Sequence, residues 1–274
     1  MRLLVTGGAG FIGANFVHST LAQRPGAEIT VLDALTYAGV RENVEGLPGV
    51  TFAHADIGDT ETIEGLLRQH EVDVIVNFAA ESHNSLAIVD PARFFRTNVL
   101  GTQGLCEAAK RVGVARFHHV STCEVYGDLD LDTDDVFTEE SPYRPRTPYN
   151  ASKAGGDHVV RSYHETWDLP ITITNCANNY GAYQFPEKVI PYFTTLALQD
   201  QPMPMYASSD NRREWIRFGQ PPATDDVGVH LHRVAEDGGD RGGSVGEVGG
   251  DAGDGRRIRT VEQPRHTDTV LVAH

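Results

Sequence analysis

Ser121-Thr122-Cys123-Glu124-Val125-Tyr126-Gly127, followed by Tyr149-Asn150-Ala151-Ser152-Lys153, brings together a hydroxyl, a thiol, a carboxylate, a phenol and an ammonium. Gathered in one pocket, these groups suit redox and proton-transfer chemistry on a sugar. Tyr149 and Lys153 stand four apart at the start of an expected helix, so they share one face. A phenol with an ordinary pKa of about 10 is a poor base at neutral pH. A nearby ammonium favours the phenolate, and each unit of lowering requires about 1.4 kcal/mol, attainable in a dry pocket. Thr122, Cys123 and Glu124 fall just past an expected strand, at the carboxyl edge where parallel sheets bind ligands. Alone, a Tyr-x-x-x-Lys pair or a Thr-x-Glu turn is ordinary sequence. Their combination is what carries a functional reading.

A second group supplies the redox partner. Thr6-Gly7-Gly8-Ala9-Gly10-Phe11-Ile12-Gly13 lies between an expected strand and helix. Gly7, Gly10 and Gly13 permit a tight turn, close approach to a pyrophosphate and helix-on-sheet packing. Asp33 closes the next strand 20 residues after Gly13, where a carboxylate accepts from a ribose hydroxyl. A carboxylate there disfavours a 2′-phosphate, so NAD is expected rather than NADP. Asp56-Ile57 can flank the adenine, although by itself the pair reads as a strand-end turn.

The elements that must position these groups alternate. Leu3–Thr6, Glu28–Asp33, Val50–His54, Asp73–Ala79, Ala115–Ser121 and Ile171–Cys176 read as strands. Gly10–Arg24, Asp59–His70, Pro91–Val112 and Tyr149–Trp167 read as helices. Repeated β-then-α order implies an α/β fold, a Rossmann-like doubly wound parallel sheet. Residues 1–175 are expected to form this NAD-binding domain, and 176–217 a small, incomplete C-terminal substrate lobe. Within the lobe, Lys188–Asp200 reads as a helix and Met203–Tyr206 as a short strand. After Phe218 aromatic residues cease, and Gly and Asp dominate. The 218–274 tail is expected to be disordered, since it buries too little apolar surface to offset chain entropy. A change of reading frame near Phe218 would give the same composition.

Composition narrows the partners. The net charge of −15 argues against nucleic acid and acidic membranes, yet leaves local anion binding at helix N-termini open. Cys106, Cys123 and Cys176 form an odd set without metal-ligand spacing, which fits a reducing cytoplasm and no metal. Glycine arrives by position 7, too early for a signal peptide, and no run reaches membrane-spanning length. Only Lys110, Lys153 and Lys188 represent lysine, and two of these fall within the motifs.

Those motifs carry a resemblance. The glycine loop, Asp33–Gly39, Ala80-Glu81-Ser82-His83 and Thr97–Thr102 resemble extended short-chain dehydrogenases. Ser121–Gly127, Asn178-Asn179-Tyr180-Gly181, Gln184–Pro191 and Asn211–Ile216 are similar, more narrowly, to dTDP-glucose 4,6-dehydratases. The resemblance covers about residues 1–217. It implies an NAD-dependent lyase for a dTDP-hexose in deoxysugar biosynthesis, and a homodimer. Tyr149, with Thr122 and Lys153, would take the C4 hydroxyl proton, and Glu124 the C5 proton. Ala34, Leu35, Thr36, Ala79, Ala80, Glu81, Ser82, His83, Thr97 and Asn179 would line the cofactor. His83, Thr122, Asn178, Lys188, Val189, Pro204, Tyr206 and Arg213 would hold the nucleotide sugar.

The chain departs from that family where Cys123 replaces the aspartic acid that protonates the C6 hydroxyl. A thiol with an ordinary pKa near 8.5 is protonated at neutral pH and able to donate. A Cys-Glu couple is also similar to relatives that stop at a 5,6-alkene, a 5,6-dehydratase outcome. Asn84-Ser85-Leu86-Ala87, Asn175 and Ala182 differ from the family pattern too. With no counterpart to the family's later substrate-lobe residues after Phe218, a catalytically impaired NAD-binding product is the competing class.

Overall fold

The computed structural model describes residues 1–133, 135–204, 213–218 and 270–272. Strands β1 (Arg2–Thr6), β2 (Glu28–Asp33), β3 (Val50–His54), β4 (Val74–Asn77), β5 (Arg116–Thr122) and β6 (Ile171–Cys176) form one parallel sheet. Helices α1 (Phe11–Gln23), α2 (Thr60–Gln69), α3 (Asn84–Val89), α4 (Pro91–Phe95), α5 (Thr102–Val112) and α6 (Pro148–Trp167) connect them. Alternation along the strands sorts side chains to two faces. Leu4, Leu32, Ile75, Phe117 and Ile171 share a core with residues of α2, α5 and α6. Leu3, Val5, Ile29, Val31 and Val76 point the other way and pack on Ala14 and Val17 of α1. The sheet is therefore covered on both sides, as the β-then-α order requires.

A small lobe follows: β7 (Asn178–Gly181), α7 (Val189–Leu198) and β8 (Trp215–Phe218), with β7 and β8 paired in parallel. Strand β9 (Val270–Val272) runs parallel to β6 and completes the order β3-β2-β1-β4-β5-β6-β9. Both Phe218 and β9 fall within the stretch 218–274 that the sequence marked as a tail. Phe218 closes β8, and the apolar, mostly β-branched run Val270-Leu271-Val272 suits the otherwise open edge of β6. Residues 219–269 lie outside the described residues. Winding reverses between β1 and β4, so a crevice is expected where their carboxyl ends diverge.

The six expected strands of the main sheet fall within two residues of those observed. Pro91–Val112 does not run as one α-helix. Its middle, Arg96–Gly101, is π-helical, and it separates α4 from α5. Met203 and Pro204 join no strand, and the rest of that expected element lies outside the described residues. No described helix is long and apolar enough to cross a membrane.

Candidate active site

At the switch point lies a cavity of about 570 Å³. The loop from β1 into α1 forms part of its lining. Gly7 takes φ +65°, and the Ala79 backbone nitrogen lies 2.7 Å from where a Cβ would stand. At Gly13 a Cβ would meet the Gly7 carbonyl at 2.3 Å. No other residue allows this packing of helix, loop and sheet. Helix α1 begins without a side-chain cap and without an acid in its first turn. With Gly10, Phe11 and Ile12 on the cavity, that helix end suits an anion.

Asp33 ends β2 on the cavity rim, where Oδ2 accepts from Ala9 N at 3.0 Å and Oδ1 from Leu35 N at 2.9 Å. Each oxygen keeps a second lone pair for a ribose hydroxyl. Gly39 closes over this carboxylate, since a Cβ there would lie 2.6 Å from Oδ1. Ala34, Thr36, Asp56 and Ile57 continue the lining. So do Ala79, Ala80, Glu81, Ser82, Thr97 and Asn179. The Glu81 side chain is tied to Arg93, 2.7 Å away, while Glu81 N donates to Asn98 Oδ1 at 2.9 Å. Leu35 is off the lining: its side chain packs against the core beside α1, and its backbone N–H donates to Asp33 Oδ1. A glycine cradle, an uncapped helix end and a strand-end carboxylate in one cavity fit a dinucleotide.

On the catalytic side, β5 ends at Thr122 and passes into a 3-10 turn, Cys123–Tyr126. Thr122 Oγ1 accepts from Glu124 N at 3.3 Å and caps that turn. Helix α6 starts at Pro148, and Thr147 Oγ1 caps it by accepting from Asn150 N at 3.2 Å. Tyr149, one residue into the helix, hydrogen-bonds the Thr122 side chain and meets the Phe94 ring edge-on, centroids 6.4 Å apart. Lys153 Nζ donates to the Val120 carbonyl at 2.8 Å. Thr122, Glu124, Tyr149 and Lys153 all reach the cavity.

The electrostatics differ from the sequence expectation. Burial, then the charge of Glu124, pushes the Tyr149 phenol well above its ordinary range. Burial pulls the Lys153 ammonium down, opposed by the Asp157 carboxylate. The chain's own groups therefore hold Tyr149 as a phenol. Added positive charge in the cavity would favour release of its proton.

Cys123 is off the cavity lining and packs against Val125, Tyr126 and Ala154, yet it stays within electrostatic reach of Tyr149 and Arg213, which line the cavity. Burial, with Cys176 and Glu124 nearby, pushes its thiol up to about 12. The 3-10 turn ends the strand alternation, so Glu124 rather than Cys123 falls on the cavity side. A thiol does border the cavity, but it is Cys176, which donates to the Ser121 carbonyl at 3.3 Å.

Towards the small lobe, Asn178, Lys188, Val189 and Arg213 line the cavity. Lys188 Nζ donates to the Ser82 carbonyl at 2.8 Å and so ties the lobe to the loop after β4. His83 stands off the lining. Its Nδ1 caps α3 by accepting from Leu86 N at 3.4 Å, and its Nε2 lies 3.5 Å from Glu187 Oε2. Pro204 is exposed and outside the lining. Tyr206 lies outside the described residues. Sequence reasoning passed over Glu187, which accepts from Tyr37 OH at 3.2 Å and joins two cavity loops. Tyr37, Gly39 and Glu187 stood inside the motifs Asp33–Gly39 and Gln184–Pro191, which were the available signal.

Known proteins align with this arrangement. A dTDP-glucose 4,6-dehydratase of Mycobacterium tuberculosis is 49% identical over 217 residues, covering 79% of this chain and 65% of that protein. The chain thus spans just under two thirds of that curated relative. DesIV, a dTDP-glucose 4,6-dehydratase of Streptomyces venezuelae solved with NAD bound, superposes with a TM-score of 0.75 at 50% identity, covering 80% of this chain and 68% of that one. A UDP-glucose 4-epimerase of Thermus thermophilus, also with NAD, gives a TM-score of 0.72 at 33% identity, covering 80% and 71% respectively. Over residues 3–219, four-fifths of its length, the chain belongs to the NAD dependent epimerase/dehydratase family.

Proposed function

We propose that the chain acts as a dTDP-glucose 4,6-dehydratase with NAD as its resident cofactor, giving dTDP-4-keto-6-deoxyglucose. The observation that carries this reading is one cavity lined by the glycine loop, Asp33, Thr122, Glu124, Tyr149 and Lys153. The loop and the first turn of α1 would hold the pyrophosphate, and Asp33 the ribose. Bound NAD would supply the acceptor for hydride from C4 and its later donor to C6.

Tyr149, oriented by Thr122 and Phe94, takes the C4 hydroxyl proton as C4 is oxidised. Lys153 stabilises the phenolate form in which Tyr149 can accept that proton. The C4 ketone acidifies the C5 hydrogen, and Glu124 removes it as a proton. Glu124, which reaches the cavity, hands that proton to the departing C6 hydroxyl, which leaves as water. When hydride returns to C6, C5 takes a proton from solvent through Glu124.

Residues 1–175 serve as the cofactor lobe and 176–217 as part of the sugar lobe. Lys188 and Arg213 are suited to the diphosphate. Exposed Ile88, Val89, Phe95 and Leu100, from α3 to the π-helical segment, suit a homodimer contact in the cytoplasm. Incubation of the purified chain with dTDP-glucose and NAD should produce the alkali-induced absorbance of a 4-keto sugar. Silence from protein that binds NAD stoichiometrically would instead assign a cofactor-binding chain without this catalysis.

A further inference from the structure

Behind the cavity wall, a row of buried polar groups joins the loop after β4 to α6. Thr6, Asn77, His119 and Asp157 are none of them more than 1% exposed. Their hydrogens can be followed in one direction. Ala79 N donates to Thr6 Oγ1 at 3.3 Å, and the Thr6 hydroxyl donates to Asn77 Oδ1 at 2.6 Å. The Asn77 amide nitrogen then faces His119 Nδ1 at 3.0 Å, which must accept, so the ring hydrogen sits on Nε2. Nε2 lies 3.3 Å from Asp157 Oδ1, off the line of a well-formed hydrogen bond, and neither atom has another hydrogen-bond partner. Asp157 Oδ2 accepts from Ser121 Oγ at 2.8 Å, Tyr143 OH at 2.9 Å and Asn175 Nδ2 at 3.4 Å.

So many donors aimed at one carboxylate favour its ionised form, yet a buried charge without a counter-charge is strongly unfavourable. Lys153 lies one turn earlier on the same face of α6 and is only 4% exposed. We propose that Asp157, held by the Thr6–Asn77–His119 row, is a positioning residue that fixes Lys153 as an ammonium beside Tyr149. The proposal rests on the reading of Tyr149 as the proton-transfer group. The titratable groups around Lys153 and Tyr149 are Asp157 on α6, His119 on β5, Cys123 and Glu124 on the 3-10 turn and Cys176 on β6. Burial favours the neutral forms of His119 and both cysteines. Of the two carboxylates, Glu124 opens to the cavity, whereas Asp157 is sealed from solvent.

With three lysines in the chain, 13C-lysine NMR resolves Lys153 from Lys110 and Lys188 by elimination. In Asp157→Asn the amide oxygen can keep His119 while the Ser121 and Tyr143 hydroxyls turn to accept. The Lys153 midpoint is expected to fall by about one unit or more, with the other two lysines unmoved. An unchanged or higher midpoint would overturn the proposal. By reciprocity, Lys153→Met should raise the Asp157 carboxyl midpoint, and no rise would be equally decisive. That second variant carries the test if the first fails to fold. Neither readout needs turnover, so failure of the dehydratase reading stays distinguishable. Where turnover is measured, Asp157→Asn should lower kcat and move its alkaline limb to lower pH, and Asp157→Glu should recover most of it. A change in KM with an unmoved limb would mean a structural role only, against the proposal.

Discussion

In the proposed reaction Glu124 bears the most chemistry of any single side chain, because it reaches the cavity while Cys123 is off its lining. Glu124→Gln keeps size and polarity but cannot take a proton, so turnover should drop by about 10²–10⁴-fold with little change in KM. Steady-state kinetics on dTDP-glucose measures this. The opposite holds for Cys123→Ala, which should keep turnover within about threefold, since the thiol is off the cavity lining and packs against Val125, Tyr126 and Ala154. A hundredfold loss would restore the thiol as the acid. Tyr149, Lys153, Thr122 and Glu124 were legible because their spacing on strand end and helix start dictates a shared direction. Cys123 was not. A 3-10 turn rotates successive side chains differently from a strand, and nothing in the letters marks where the turn begins.

At the scale of elements, β1, β2 and β4 were readable as short apolar runs, most of whose residues are buried, whereas β3 is a partly exposed edge strand. The π-helical turn at Arg96–Gly101 escaped, since one extra residue per turn barely disturbs an apolar periodicity. It matters because Thr97 reaches the cavity from there, and α6 packs so closely that a Cβ on Gly156 would lie 2.5 Å from the Asn98 carbonyl. Strand β5 also sets a pH limit on stability. His118 is buried against Thr172, its Nδ1 2.7 Å from Oγ1, and burial lowers its pKa from 6.5 to about 4. The unfolded chain then binds a proton between those values that the folded chain refuses, so stability is full above pH 6.5 and falls as pH drops toward 4. This one group contributes about 3 kcal/mol to the loss. Urea unfolding at pH 7 and pH 4.5 should show His118→Gln losing less stability than the unsubstituted chain over that interval. An equal loss would remove His118 as the cause.

For the whole molecule, two exposed apolar patches stand out among the described residues. Helix α7, Val189–Leu198, has no buried residue despite its apolar sequence. The other patch runs from Ile88 and Val89, 73% and 82% exposed, to Leu100 at 64%. If the second patch is the dimer contact, sedimentation should give a dimer that Leu100→Glu converts to monomer with the cofactor site intact. A monomer at micromolar concentration in the unsubstituted chain would refute that assembly. Neither patch was foreseen, because exposure depends on which elements meet and not on local pattern. Elimination across C5–C6 in the cavity shared by the glycine loop and Glu124 is tested by the product mass from dTDP-glucose in D₂O. A product lighter by one water and carrying solvent deuterium at C5 is expected. Unconsumed dTDP-glucose beside bound NAD, or a product without deuterium, would contradict it.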